Sequence, residues 1–217
     1  MRIALPKGRL YKDLIELLKE AEITFDSDGN ERNYKLTCNI PGVTAMIVKP
    51  RAIPQLVALG NFDAGFCGLD LVEENGYENV IPTLDLHLNK VKVVVAVPKG
   101  REDILINPPK RPLLIATEYE RLASHWALRH GLSHITIQTW GSTEAYAPDI
   151  ADIVFDCTET GATIAANGLT IIDTILESST NLIVNRDSLR GLDTRKKIEM
   201  IEDCINWTIT EDGKNER

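Results

Sequence analysis

Strand-length apolar runs and helical patterns alternate along this chain. Arg2–Leu5, Ala45–Val48, Ala64–Cys67, Leu113–Ala116 and Ile153–Phe155 are short runs bounded by turn signals, whereas Leu14, Ile15, Leu17, Leu18 and Ala21 recur at the spacing of one helical face. This alternation predicts an α/β protein. Val91–Val97 is a nearly continuous β-branched run, which predicts a strand buried on both faces, and it follows the polar stretch His87–Lys90. A lobe boundary is placed there, and a second crossing near Ser178–Asn181, after which Leu182–Val184 and a helix from about Leu189 return to the first lobe. The predicted lobes are residues 1–88 with 181–217, and residues 89–180.

A length of 217 residues with 43% hydrophobic content is enough to bury a substantial core. No apolar run approaches the roughly 20 residues that span a bilayer, and the N-terminus enters a strand at once, so the expected location is the cytoplasm. Cys38, Cys67, Cys157 and Cys204 are scattered without a C-x-x-C pair, the pattern of reduced thiols and not of a zinc site or disulfide framework. His125, His130 and His134 are close in sequence, but Gly131 and Ser133 break the helix between them, so no metal site is assigned to the chain. A net charge of −8 disfavours nucleic acid, and any polyanionic ligand must be held by a local basic cluster.

Such a cluster is available in the first lobe. The loop Pro6-Lys7-Gly8-Arg9 joins the first strand to the first helix, where α/β sheets bind ligands, and places two cations beside a flexible backbone N–H. Arg32, Lys49 and Arg51 add charge from element ends in the same half. A near copy, Val97-Pro98-Lys99-Gly100-Arg101, is read as a surface turn.

The second lobe offers the stretch Ile153 to Thr163, in which an apolar strand runs into an acidic turn and a small, hydroxyl-rich loop. Gly161 permits close approach to an anion, Thr160 and Thr163 offer hydroxyl donors, and a helix starting near Ala162 aims free N–H groups at the same point. Asp156 and Glu159 only accept hydrogen bonds and suit ribose hydroxyls, so the segment as a whole fits a phosphoribosyl group. The alternative is a purely structural turn, with Thr160 as a helix cap and the acids in a favourable first turn.

Ala4-Leu5-Pro6-Lys7-Gly8-Arg9-Leu10, Asp63-Ala64-Gly65-Phe66-Cys67-Gly68-Leu69-Asp70, Gly141-Ser142-x-Glu144 and Asp156-x-x-x-Thr160-Gly161-Ala162-Thr163 occur in that order, followed by Ala166-Asn167-Gly168-Leu169 and Leu182-Ile183-Val184-Asn185. Together they resemble the ATP phosphoribosyltransferase family, and the length resembles its short form. The resemblance implies two α/β lobes with a cleft between them, as in type II periplasmic binding proteins. It also implies transfer of the phosphoribosyl group of phosphoribosyl pyrophosphate to N1 of ATP, the first step of histidine biosynthesis. Magnesium would arrive with the two substrates, and the chain would form a homodimer within a hetero-oligomer containing a histidyl-tRNA-synthetase-like regulatory subunit.

By the same resemblance Arg9 and Arg32 are the expected catalytic residues, acting on the leaving group. Lys7, Gly8, Lys49, Arg51, Asp70, Glu144, Asp156, Glu159, Thr160, Gly161, Ala162 and Thr163 are the expected substrate-binding residues. Three places depart from the family pattern: Ala52 stands where an Asp is common, Glu118 where a Lys often occurs, and Tyr146 and Asp149 at apolar positions. A non-catalytic two-lobed anion-binding module and a single-sheet phosphoribosyltransferase are the rival readings.

Overall fold

The computed structural model describes residues 1–27 and 34–215, with side chains to residue 210. In chain order the elements are β1 (Arg2–Pro6), α1 (Arg9–Glu20), β2 (Phe25–Asp26), β3 (Lys35–Cys38), β4 (Thr44–Val48), α2 (Ile53–Ala58), β5 (Ala64–Gly68), α3 (Leu69–Asn75) and β6 (Val80–Asp85). There follow β7 (Val91–Pro98), β8 (Leu113–Thr117), α4 (Glu120–Arg129), β9 (His134–Gln138), β10 (Ile153–Thr158), α5 (Ala162–Ala166), β11 (Leu169–Ser178), β12 (Thr180–Asn185) and α6 (Leu192–Asn215). Two units result, Met1–Asn89 with Ser179–Arg217, and Lys90–Ser178. The pattern had put the second crossing at 180/181, but Ser179 already hydrogen-bonds Asp85 of the first unit and Thr180 opens β12. Among the described residues no helix is long and apolar enough to cross a membrane.

The first unit is one sheet in the order β2-β3-β4-β1-β5-β12-β6, in which β1 pairs in parallel with both β4 and β5. Ile3 and Leu5 point to one face and meet Leu14, Leu17 and Leu18 of α1 and Ile198, Ile201 and Ile205 of α6 in one buried cluster. Ala4 points to the other face, where α2 packs through fully buried Ile53 and Val57. Gly65 of β5 makes that approach possible, since a Cβ there would lie 2.6 Å from Cγ2 of Ile53 and 3.2 Å from Cβ of Ala4.

The segments that leave and re-enter this unit are tied to it and to each other. Leu86 donates its N–H to Thr180 and Thr180 to Leu88, each at 2.9 Å. Asn89 adopts a left-handed conformation (φ 51°), donates to Asp13 at 2.6 Å and accepts from the Thr180 hydroxyl at 3.0 Å. Burial raises the Asp85 carboxyl, but the Ser179 hydroxyl and the N–H and imidazole of His87 outweigh it and hold the group below its usual range.

The second unit is a five-stranded sheet, β11-β7-β10-β8-β9, in which β8 runs parallel to β9 and β10 while β7 is antiparallel to β10 and β11. Val93–Val97 are buried, as the β-branched run predicted, yet both neighbours of β7 are antiparallel. Such a run reports coverage of both faces, not strand direction. On one face Trp126 of α4 packs edge-on against Phe155, with centroids 6.4 Å apart, and its indole donates to Asp173 at 2.8 Å. On the other, Ile164 of α5 joins Val94, Ala96, Val154 and Leu169.

Two outcomes follow from this packing. Gly65→Ala forces the Ile53 side chain to give way, an overpacking cost of roughly 1–3 kcal/mol readable by urea denaturation. Asp152 accepts two bonds from Arg111, at 2.7 and 2.9 Å, and the Leu114 N–H at 2.9 Å; burial raises its carboxyl, and these partners outweigh it, so the folded pKa lies below the ordinary one. The stabilisation is therefore present above the unfolded value of about 3.9 and disappears as pH falls through the folded value. Asp152→Asn should lower the melting temperature at pH 7 and make little difference at the acid end of the titration.

Candidate functional site

In an open α/β sheet the ligand crevice opens at the carboxyl ends of the strands where successive connections leave in opposite directions. Both units contain such a point. In the first, the chain passes from β1 out to β4 on one side and then to β5 on the other. In the second, it passes from β8 to β9 on one side and then to β10 on the other. The sequence-predicted residues described by the structure divide between these two places.

At the first, Pro6 pairs with Val48, so Lys7 and Lys49 leave adjacent parallel strands side by side. The Lys7 N–H donates to the Val48 carbonyl at 2.7 Å, the last rung of that ladder. Gly8 then takes φ 90°, ψ −142°, a region open to glycine alone, and α1 starts at Arg9 without a side-chain cap. Lys7, Gly8 and Arg9 are exposed. The Lys7 ammonium donates to the Tyr34 hydroxyl at 3.1 Å and lies 5.0 Å from its ring centroid, which fixes the charge without neutralising it. Arg51 lies in the short 3₁₀ turn Pro50–Ala52 that runs into α2, and Ala52 occupies the residue before that helix.

Asp70 is in the first turn of α3, straight after β5, and is 94% buried at 6% exposure. Burial, and after it the charge of Asp70, push the Cys67 thiol well above the usual range, so Cys67 is an unreactive core group. One strand end thus carries Lys7, Gly8 and Arg9, its neighbour Lys49 and Arg51, and the next Asp70. Arg32 lies outside the described residues.

At the second point β10 delivers Asp156 half-buried, on the same face as Val154 and therefore on the α5 side of the sheet. Its carboxylate accepts the Cys157 N–H at 2.8 Å. Glu159 and Thr160 are exposed in the turn, Gly161 is left-handed (φ 76°), and Ala162 and Thr163 open α5. The Thr160 hydroxyl accepts the Ala162 N–H at 3.3 Å. Glu144 lies in the 3₁₀ turn Thr143–Tyr146, which packs on β8 and β10. Thr139 donates its N–H to Thr117 at the end of β8, and its hydroxyl pairs with that of Thr143 at 2.7 Å, holding the Glu144 turn at the same carboxyl end.

Sequence reasoning missed Thr158. Its hydroxyl accepts the Gly161 N–H at 2.9 Å, so that N–H is spent inside the turn. A hydroxyl three residues ahead of a left-handed glycine was the available signal.

The family profile described as HisG: ATP phosphoribosyltransferase matches residues 49–206. Proteins named ATP phosphoribosyltransferase from Methanothermobacter thermautotrophicus and Solibacter usitatus are 37% and 32% identical, each over 99% of this chain and 74% of its own length. The chain belongs to the ATP phosphoribosyltransferase family. It is a pentosyltransferase of histidine biosynthesis. Among solved structures, one titled "ATP phosphoribosyl transferase (HisG:HisZ) complex from Thermotoga maritima" superposes with a TM-score of 0.84 at 27% identity, covering 97% of this chain and 99% of that one. The family fold is therefore present, two α/β units of the type II periplasmic-binding-protein class.

Within this ATP phosphoribosyltransferase frame, Thr158 is part of what shapes the Asp156 to Thr163 turn. Thr158→Val leaves the Gly161 N–H without its acceptor, which costs about 1–3 kcal/mol if that group stays buried. Faster amide exchange at Gly161, measured by NMR, is the expected sign.

Proposed function

We propose that the two strand-end clusters divide the reaction between them, the first unit holding the pyrophosphate side and ATP, the second the phosphoribosyl group. The reaction joins N1 of ATP to C1 of phosphoribosyl pyrophosphate, while the C1–oxygen bond breaks and its electron pair leaves with pyrophosphate. Adenine N1 is already a nucleophile, so no strong general base is required. Catalysis rests on alignment and on stabilising the charge that grows on the leaving oxygen.

The observation that carries this assignment is the side-by-side exit of Lys7 and Lys49 from β1 and β4, with Arg9 and Arg51 in the next turn of each. Four cations at one sheet end, in a chain of net charge −8, match a polyphosphate. Arg9 and Arg32 act on the leaving group, and Gly8 lets the backbone approach it. Asp70 orients part of the cationic set or the nucleotide. In the second unit Thr160, Gly161, Ala162 and Thr163 take the 5-phosphate, Asp156 and Glu159 the ribose hydroxyls, and Glu144 supports the same sugar.

Magnesium enters as part of the substrates. It favours phosphate oxygens with one or two carboxylates, and supplies charge neutralisation on pyrophosphate. The dispersed carboxylates Asp70, Asp156 and Glu159, one or two per strand end, fit that mode of arrival. The chain works as a homodimer inside a hetero-oligomer with a histidyl-tRNA-synthetase-like regulatory subunit; the support is its near-complete coverage of the chain solved in the Thermotoga maritima HisG:HisZ complex.

Purified chain with ATP, phosphoribosyl pyrophosphate, magnesium and pyrophosphatase should give phosphoribosyl-ATP, followed by its ultraviolet absorbance. Neither binding nor turnover, with or without the regulatory subunit, would return the protein to the class of anion-binding modules. Arg9→Ala and Arg32→Ala should each lower turnover by two to three decades, the rate equivalent of about 3–4 kcal/mol at a developing oxyanion. Losses below about threefold in both would remove the arginines from this role.

A further inference from the structure

The turn Pro-Lys-Gly-Arg occurs twice, after β1 and after β7, and the two copies share a backbone conformation. Gly8 takes φ 90° and Gly100 φ 87°, and nothing lies within 4 Å of the Cβ position of either. In both the lysine N–H closes on a carbonyl, Lys7 on Val48 at 2.7 Å and Lys99 on Gly168 at 3.0 Å. Lys7, Arg9, Lys99 and Arg101 are all exposed. Backbone and charge alone therefore do not distinguish the copies.

The side chains around them do. In the second copy the Glu102 carboxylate accepts its own N–H, that of Gly100 and the Thr170 hydroxyl, and these bonds hold it below its usual range. The charge of Arg101 bears on Asp152. That turn carries its own anions. In the first copy α1 starts without a side-chain cap, and the Lys7 ammonium meets a neutral group, donating to the Tyr34 hydroxyl at 3.1 Å with the ring centroid 5.0 Å away. Tyr34 reaches this place because β3 is antiparallel to β4, so the entrance to β3 lies at the carboxyl ends of β1 and β4. Its carbonyl accepts the Ile47 N–H at 2.8 Å, a backbone tie that does not depend on the side chain, which leaves the residue 49% exposed.

We propose that Tyr34 is a positioning residue for substrate binding, which holds the Lys7 ammonium in place for the polyphosphate at the first strand end. Lysine is among the side chains that lose most rotamer freedom when fixed, and a tether formed before the substrate arrives removes part of that cost from binding. The hydroxyl oxygen takes one of the three ammonium donors and leaves two for phosphate oxygens. The ring face attracts the cation without cancelling its charge, as a carboxylate would. Lys99 stands in a turn already supplied with carboxylates and has no such task.

This rests on the reading of the first strand end as the polyphosphate side of the site, and a double-mutant cycle separates the two. Binding of magnesium pyrophosphate to the full chain is measured by calorimetry. Lys7→Met should weaken it at least about tenfold, the loss of a hydrogen bond to a charged group. Tyr34→Leu should weaken it by up to about tenfold, and Tyr34→Phe, which keeps the ring, by about two- to fivefold. In the Lys7→Met background Tyr34→Leu should change affinity by less than about 1.5-fold, because a residue acting through Lys7 has nothing left to position. Lys99→Met should leave affinity unchanged. A parent protein that does not bind pyrophosphate, or a Lys7→Met protein that binds it as the parent does, overturns the reading of the strand end and this inference with it. If Lys7→Met weakens binding and both Tyr34 variants bind as the parent does, the positioning role alone is overturned. Equal effects of Tyr34→Leu with and without Lys7 overturn it as well, and Tyr34→Phe keeps the test open should the leucine variant fail to fold.

Discussion

The parallel triplet β4-β1-β5 is the constraint on which the first unit depends. Parallel strands need crossover connections, these are right-handed, and so each crossover must pass over one face of the sheet before returning. With β1 in the centre, the first connection goes to one side and the next to the other, and the chain leaves a gap at the carboxyl ends. The bond from the Lys7 N–H to the Val48 carbonyl closes the ladder at that edge. Beyond it both strands turn away together, which is why cations 42 positions apart in sequence become neighbours. The second unit repeats the geometry with β8 in the centre, although one of its five strands, β7, runs against the other four.

Three glycines serve these arrangements for three different physical reasons. Gly8 needs its backbone angles, since nothing lies within 4 Å of where a Cβ would be. Gly65 has ordinary angles and needs the missing Cβ, because Ile53 occupies that space. Gly161 needs a left-handed conformation while the neighbouring Ile171 side chain stands 3.4 Å from the Cβ position, an ordinary contact. A turn aimed at a ligand and a close helix–strand packing thus draw on the same residue through unrelated properties.

Electrostatics explain how an acidic chain handles two polyanionic substrates. Its net charge of −8 repels phosphates at long range, but salt screens that field within about 8–10 Å. Locally, Lys7, Arg9, Lys49 and Arg51 come from consecutive strand ends, and Lys7 is held by the hydroxyl and ring of Tyr34, partners that leave its charge intact. Ala52 fits the same view. It sits where the 3₁₀ turn becomes α2, half-buried, and an acid at that point would offset part of the positive charge of Arg51 beside it.

The α/β class, the strand runs, the amphipathic α1 and the strand, turn and helix start between Ile153 and Thr163 were legible in the sequence, because hydrophobic period and turn residues act over a few positions. Its motifs also sufficed to indicate the family. Strand order, by contrast, was decided only by tertiary structure. Val91–Val97 announced burial on both faces but not that its neighbours are antiparallel, since burial depends on what covers the faces and not on direction. Nor did the sequence reveal that Thr158 consumes the Gly161 N–H, that Thr139 and Thr143 pin the Glu144 turn, or that β9 is an edge. Those features depend on distances between segments brought together by the fold, and local pattern carries no information about them.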